Sequence, residues 1–160
     1  AQWQAADRTF PEMLGKQIRT WAAGWQKKID AVSTFSLSHG DPNPGNIMVT
    51  SEGDFAILDT GHIRYLPRAL DYWMVKIHLC RSDAEKTEIF TSAYHQGMEE
   101  SQRPSFEETE PFFALYVLVD FAAMLAGRLR SALPHDRYYA EYSDGLATAR
   151  RMIEDLLDTD

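Results

Sequence analysis

The 160-residue sequence has little of several features that mark particular classes of protein. Its single cysteine, Cys80, excludes a disulfide within the chain, and a reducing compartment is the expected setting. The net charge of -8 argues against nucleic acid as a main partner. No apolar run reaches the ~20 residues that span a bilayer, and the first residues lack the regions of a signal peptide. We therefore expect a cytoplasmic protein with no membrane span.

Helical periodicity dominates the rest of the chain. Leu14, Ile18, Trp21 and Trp25 recur at steps of three and four, which predicts a helix over residues 9–32. The hydrophobic content of 44% is enough for one globular domain with a core. Capping signals and apolar stripes predict further helices over residues 70–80, 82–97, 105–133 and 136–157.

Strand patterns are short and confined to the first half of the chain. Residues 47–50 and 55–59 are apolar runs separated by Ser51-Glu52-Gly53-Asp54, which predicts a β-hairpin. Residues 33–38 are a strand or an extended segment, and residues 60–68 are expected to form a loop. The predicted fold class is α+β and mainly helical, a single domain over residues 1–160 with a helical subdomain over residues 70–157.

The segment 39–46, His-Gly-Asp-Pro-Asn-Pro-Gly-Asn, has the clearest chemical pattern. Two prolines and two glycines in eight residues exclude a regular helix and a central strand. Asp41 and Asn46 are presented from this loop, and the hairpin that follows brings Asn46 close to Asp59, because the two ends of a hairpin meet. Oxygen ligands of this kind suit Mg²⁺. Asp41 then remains as a carboxylate that can accept a proton.

This order of residues matches the template for phosphoryl transfer. There a catalytic Asp and a metal-binding Asn are spaced D-x-x-x-x-N, and a second metal-binding Asp-x-Gly follows. Asp41, Asn46 and Asp59-Thr60-Gly61 fit that spacing. The loop resembles the H-G-D-x-x-x-x-N element of the aminoglycoside phosphotransferase and choline kinase group, and also the related bacterial lipopolysaccharide core sugar kinases.

The resemblance implies a protein-kinase-like fold, of which this chain is the C-terminal lobe. It implies ATP and Mg²⁺ as cofactors and a small-molecule hydroxyl as the phosphate acceptor, on a sugar, an aminoglycoside or an amino-alcohol. Asp41 would be the catalytic base and His39 would support the catalytic loop 39–46. Asn46 at the end of that loop and Asp59 in the metal-binding hairpin 47–61 would bind Mg²⁺. Asp71 would brace the loop or, as an alternative, cap the next helix.

Two departures separate the sequence from protein kinases and one element of a complete kinase is missing. Gly40 replaces the Arg of H-R-D, and Asn43 stands where protein kinases usually carry Lys. The residues before His39 contain no glycine-rich loop and no strand lysine for the nucleotide phosphates, so the N-terminal lobe is absent and the nucleotide-binding residues are unknown. We expect the parent chain or a partner to supply that lobe, and the isolated chain to bind ATP weakly.

Two other functions stay open from the sequence. His39, Asp41, Asp59 and His62 form a possible ligand set for Zn²⁺ or Mn²⁺ in a metal-dependent hydrolase. A non-catalytic kinase relic that acts as a binding module is the other alternative. Asn46 and the glycine after Asp59 favour the phosphotransferase over the hydrolase, and the intact acidic residues count against the relic.

Overall fold

The computed structural model describes residues 8–33, 35–81, 83–135 and 137–158. They group into two compact units, one formed by Val32–Phe113 and the other by the described parts of Ala1–Ala31 and Ala114–Asp160. The mainly helical character is confirmed, and the single-domain organisation stays a prediction. The helices are α1 (Glu12–Gly24), α2 (Gln26–Asp30), α3 (Arg68–Val75), α4 (Ala84–Gln96), α5 (Arg103–Ser131) and α6 (Tyr139–Leu157).

The unit that contains both ends of the described chain is helical. Helix α1 packs against α6, and Ile18 of α1 and Ile153 of α6 are both fully buried. The half of α5 that belongs to this unit contributes Leu115, Leu118 and Val119, which water does not reach. An apolar stripe on each helix therefore forms this core, as the periodicity predicts.

The unit formed by Val32–Phe113 carries all four described strands and an aromatic core. Strands β2 (Ile47–Val49) and β3 (Phe55–Ile57) form the predicted hairpin, with Ile47 opposite Ile57. Gly53 lies in its turn with φ +88°, a conformation that glycine adopts without strain. Tyr72 of α3 is buried among rings from α4 and α5, namely Phe90, Tyr94, His95 and Phe106.

A second strand pair corrects the prediction of a loop over residues 60–68. Strand β1 (Phe35–Ser38) pairs antiparallel with β4 (Arg64–Pro67), so that Ser38 lies opposite Arg64. The partner strands are far apart in sequence, and Arg-Tyr-Leu-Pro alone has little strand signal. The pairing holds the two ends of the segment between Ser38 and Arg64 together, and that segment contains the loop and the hairpin.

Several predicted helix boundaries are wrong. The segment 9–32, predicted as one helix, is interrupted at Trp25, and helix α1 within it begins only after Pro11. Helix α3 continues from Val75 into a π-helix (Lys76–Cys80). Helix α4 is capped by Asp83, whose carboxylate accepts the Lys86 amide, while Ser82 lies outside the described residues, as does Asp136. Helix α5 begins at Arg103 rather than at residue 105, after a short 3₁₀ turn (Glu100–Gln102).

In the part of the chain that the structure describes, one helical stretch is long and apolar enough to cross a membrane by length and composition alone. It is Glu100–Ser131, and 44% of its most apolar window is buried within the protein. Core helices meet the same criteria. The expectation that the chain has no membrane span stays a prediction.

Candidate active site

The loop after β1 folds back on itself through its own polar side chains. The Asn43 amide N–H donates to the Asp41 carbonyl at 2.9 Å, and the Asn46 N–H donates to the Asn43 carbonyl at 3.0 Å. The Asn43 side-chain oxygen accepts the Gly45 N–H at 2.9 Å and caps a 3₁₀ turn (Pro44–Asn46). The loop is therefore a closed local structure that fixes the direction of its side chains.

The carboxylate of Asp41 is oriented by two amides of the same loop. Its Oδ2 accepts from Asn43 Nδ2 at 3.0 Å and from Asn46 Nδ2 at 3.1 Å. The hydrogen bond from Asn43 is the main cause that holds the pKa of Asp41 below its ordinary value. Burial, the second largest effect, raises that pKa, and the Asn46 amide and the charges of His62 and His78 lower it further. Asp41 is thus kept ionised in a defined orientation.

Asn46 connects the loop to the hairpin. Its backbone carbonyl accepts the Leu58 N–H at 2.7 Å, one residue beyond the pairing of Ile47 with Ile57. Asp59 follows directly, so the structure brings Asn46 and Asp59 to the same end of the hairpin. Because the amide nitrogen of Asn46 faces Asp41, its side-chain oxygen is the atom that Asn46 can offer to a cation.

Asp59 adopts an unusual backbone conformation at this position. It lies in the left-handed region at φ 55° and ψ 68°, which few residues other than glycine, Asn and Asp adopt. Its Oδ1 accepts the Gly61 N–H at 3.4 Å and caps a 3₁₀ turn (Thr60–His62). Asp59 is exposed. This turn directs the chain away from the hairpin and leaves the carboxylate accessible.

His39 lies between the loop and the hairpin. Its Nδ1 is 3.0 Å from the Asp41 carbonyl oxygen, and its Nε2 is 2.7 Å from the Leu58 carbonyl oxygen. Both ring nitrogens therefore face backbone oxygens. This placement fits the supporting role that the resemblance implies for His39 and leaves no ring nitrogen directed toward a metal.

Asp71 is in contact with the start of the loop. It lies in the first turn of α3, whose N-cap is Pro67, so the side chain does not cap the helix. Its Oδ1 accepts the hydroxyl of Ser38, and the Ser38 oxygen accepts the Gly40 N–H at 3.3 Å. Burial raises the pKa of Asp71, opposed by the Ser38 hydrogen bond and by the charges of Arg68 and His39. A chain of hydrogen bonds thus connects helix α3 to Gly40.

Gly40 has no space for a side chain. Its φ is +78°, and a Cβ at this position would lie 2.3 Å from the backbone oxygen of His62. The loop and the turn Thr60–His62 are therefore in direct backbone contact. Sequence comparison treats Gly40 as a missing arginine, whereas the structure gives a steric reason for glycine.

Asn43 and Ser38 have structural roles that sequence reasoning did not predict. The Asp-x-Asn spacing of residues 41 and 43 is a local signal from which the contact of the Asn43 amide with Asp41 could have been predicted. No local signal connects Ser38 to Asp71, because 33 residues separate them. The direct surroundings of Asp41 are therefore richer in amides than the motif alone indicates.

The comparisons with known proteins agree with this geometry. The family model described as "Phosphotransferase enzyme family" matches residues 1–104, which is 104 of the 160 residues. The chain belongs to the phosphotransferase enzyme family. No curated protein and no solved structure matches it.

Membership in the phosphotransferase enzyme family confirms the resemblance drawn from the loop. The matched residues contain the loop 39–46, the hairpin and Asp71. The family has a protein-kinase-like fold, and this chain is α+β and mainly helical with a small hairpin after the loop. The family also indicates phosphotransferase activity in general.

The donor atoms at the hairpin end suit a hard cation better than a zinc site. An amide oxygen of Asn46 and a carboxylate of Asp59 are the ligands that Mg²⁺ takes together with substrate phosphates. Within residues 8–158, leaving out 34, 82 and 136, no group of three or more His, Cys, Asp or Glu side chains is placed to hold a metal ion. Among the residues described, His39, Asp41, Asp59 and His62 are therefore not grouped as one ligand set.

Proposed function

We propose that this chain is the catalytic lobe of an ATP-dependent kinase that transfers the γ-phosphate of ATP to a hydroxyl of a small molecule. The observation that carries the proposal is the position of Asp41. Two amides orient its carboxylate, and one of them, Asn46, lies beside Asp59 at the end of the hairpin. A base and a pair of oxygen ligands are thus adjacent.

Asp41 acts on the acceptor. The acceptor oxygen forms a bond to the γ-phosphorus, the bond to the β,γ-bridging oxygen breaks, and ADP leaves. The proton of the hydroxyl passes to Asp41. Because Oδ2 is engaged by Asn43 and Asn46, the free oxygen Oδ1 is the proton acceptor; among the described residues, none donates to it. Orientation of the nucleophile by a fixed carboxylate is the role that the kinase template gives to this Asp.

Asn46 and Asp59 hold Mg²⁺ in this proposal. When bound, the cation neutralises the negative charge of the phosphates. The side-chain oxygen of Asn46 and the exposed carboxylate of Asp59 are its protein ligands. Asn46 therefore serves both sides of the site, since its nitrogen orients Asp41 and its oxygen binds the cation.

ATP requires a further lobe, which we propose the parent chain or a partner supplies. The apolar side chains of the hairpin support this part of the proposal, because they are exposed to solvent and could be covered by another lobe. Val49 is 69% and Phe55 is 71% exposed, and Met48 and Ile57 are about half exposed. Exposed apolar patches of this kind often mark interaction sites.

We propose a cytoplasmic location for the protein, with no nucleic-acid partner and no membrane span.

The cation site can be tested on the isolated chain with Mn²⁺ as a paramagnetic probe. We expect Mn²⁺ to broaden the amide NMR signals of Asn46 and Asp59 before those of other residues. Asp59→Asn should weaken this effect about tenfold or more, because it removes the only carboxylate in the proposed ligand pair. Asp54→Asn is the matched control, since Asp54 lies in the turn at the other end of the hairpin.

Two results would count against the cation site. One is equal broadening in wild type and Asp59→Asn. The other is broadening centred on His39 or His62, which would favour the hydrolase. In the protein that includes a nucleotide-binding lobe, Asp59→Asn should abolish transfer of labelled phosphate from ATP. Unchanged biological activity of that variant would favour the non-catalytic relic.

A further inference from the structure

A small cavity lies beside the first turn of α3, in the unit that carries the strands. Arg68, Gln102 and Thr109 give it polar walls, and Ala69 and Phe106 give it apolar ones. Its volume is about 10 Å³ for the centre of a water-sized sphere. A single buried water needs roughly 10–15 Å³ by this measure. The cavity therefore fits one water molecule or one small ion, and it excludes sugars, nucleotides and peptides.

Two of the polar walls carry a buried atom that has no hydrogen-bond partner among the described residues. They are the Nε of Arg68, whose N–H can only donate, and the Oε1 of Gln102, which can only accept. Such atoms are rare in folded proteins, because a polar group that leaves water without gaining a partner is destabilising. The two atoms are complementary but do not bond each other, so a group between them is needed to satisfy both.

Thr109 contributes a third polar group to the cavity. The residue is 6% exposed, and its hydroxyl donates to the Ser105 carbonyl at 2.8 Å. Because its hydrogen is used in this way, its oxygen is left to accept a further hydrogen bond. The cavity thus offers one N–H and two oxygens, which a water molecule matches by accepting one hydrogen bond and donating two. Chloride would accept from Arg68 but would face two oxygens that repel it.

We propose that the cavity binds one water molecule, which accepts the Nε–H of Arg68 and donates to Oε1 of Gln102 and to the Thr109 hydroxyl. Arg68 is the first residue of α3, Gln102 ends the 3₁₀ turn before α5, and Thr109 lies in α5. The water therefore joins the start of α3 to the start of α5. This site does not depend on the proposed function, since none of its residues is assigned to the base or to the cation.

The turn of α3 that the water joins is also the turn that holds the loop 39–46. Asp71 lies three residues after Arg68 in this helix and bonds Ser38 just before the loop. The Tyr94 hydroxyl of α4 fixes the same turn by donating to the Arg68 carbonyl at 3.1 Å. Tyr94 thus anchors the backbone of Arg68 and the water anchors its side chain, so the water site connects α5 to the support of the candidate active site.

Water–protein NMR of the full 160-residue chain tests the site directly. The Nε–H signal of Arg68 is identified by its loss in Arg68→Lys. A rotating-frame Overhauser spectrum then separates a held water from proton exchange, because the two kinds of cross peak have opposite signs. We expect a peak of dipolar sign between the Arg68 Nε–H and the water signal. Arg150 is the matched control, since its Nε donates to Glu154 at 2.9 Å on an exposed surface, and its Nε–H should show no such peak.

A pair of variants tests which residue holds the water. Gln102→Leu removes the accepting oxygen and keeps a similar size, so we expect the dipolar peak at Arg68 to fall at least about threefold. Gln96→Leu is the matched control, because Gln96 is exposed on α4 and donates to Ser92, and it should leave the peak unchanged. Backbone amide spectra show whether each variant remains folded, and the wild-type peak tests the proposal even if Gln102→Leu does not fold.

Three results would overturn the proposal. One is the absence of a dipolar peak at the Arg68 Nε–H in the wild type. Another is a peak that a folded Gln102→Leu leaves unchanged. The third is a shift of the Arg68 Nε–H signal when chloride in the buffer is replaced by the bulky anion gluconate, because that shift would identify an anion in the cavity. An Arg68 signal that does not respond to this exchange supports water.

Discussion

Replacing Gly40 with alanine tests how tightly the loop is held against the turn Thr60–His62. Two costs add. The backbone at Gly40 has φ +78°, and a left-handed conformation costs a residue with a Cβ roughly 1–2 kcal/mol. The new Cβ would also lie 2.3 Å from the His62 carbonyl oxygen, and because that atom is backbone, the loop itself must move. Overpacking of this kind costs about 1–3 kcal/mol.

We therefore expect Gly40→Ala to reduce the free energy of unfolding by about 2–5 kcal/mol. Gly53→Ala is the matched control. Gly53 has a similar φ of +88°, but no atom lies within 4 Å of the place that a Cβ would occupy, so only the backbone cost of roughly 1–2 kcal/mol applies. Urea unfolding of the two variants and the wild type measures the difference. Equal destabilisation by both substitutions would refute the contact between Gly40 and His62.

The surroundings of the loop and the buried cysteine lead to three further predictions. Asn43→Ala removes the hydrogen bond that most lowers the pKa of Asp41, so that pKa should rise, as carboxyl-carbon NMR titration would show; an unchanged value contradicts the contact. Ser38→Ala deprives the half-buried Asp71 of its hydroxyl donor and should cost about 1–3 kcal/mol at neutral pH. Because the folded-state pKa of Asp71 is raised, the free energy of unfolding should fall as pH rises from below the unfolded-state pKa of Asp71 to above its folded-state pKa. The fall should be larger in Ser38→Ala, which loses a hydrogen bond that lowers this pKa. Urea unfolding across that pH range measures the fall, and a free energy of unfolding that does not change with pH would contradict the prediction. Cys80 is 3% exposed and burial raises the pKa of its thiol, so a disulfide reagent should label it only after unfolding; rapid labelling of the folded protein would contradict this placement.

The sequence predicts the hairpin and the position of Asp59 because the information is local. Alternation of apolar residues and a turn with Gly53 set the pairing of Ile47 with Ile57 within a few residues. The pairing of β1 with β4 could not be predicted in this way, since each strand is stabilised by a partner distant in the chain. Tertiary contact, and not local propensity, decides such strands.

The predicted start of helix α5 is wrong for a related reason. The pattern of Ser105 and Glu108 has the spacing of a capping box, yet α5 already begins at Arg103. The Thr109 hydroxyl donates to the Ser105 carbonyl at 2.8 Å, so residue 105 is part of a continuous helix. A capping signal shows where a helix can start but does not prevent an earlier turn from joining it.

The chemistry of the candidate site is partly readable from spacing alone. Asp41, Asn46 and Asp59 follow from the motif, because their order along the chain is the signal. The contribution of Asn43 and the contact of His62 with Gly40 depend on how the loop folds back, which spacing does not specify. The sequence thus indicates the candidate reacting groups, and the structure adds the groups that orient them.

The central claim is that Asp41 is the base of a phosphotransferase, and Asp41→Asn tests it most directly. The measurement is transfer of labelled γ-phosphate from ATP to a hydroxyl acceptor by the protein together with its nucleotide-binding lobe. The substitution keeps the size of the side chain but removes the proton acceptor. We expect the transfer rate to fall about 10²–10⁴-fold while Mn²⁺ still broadens Asn46 and Asp59. A rate within a few fold of wild type would contradict the account.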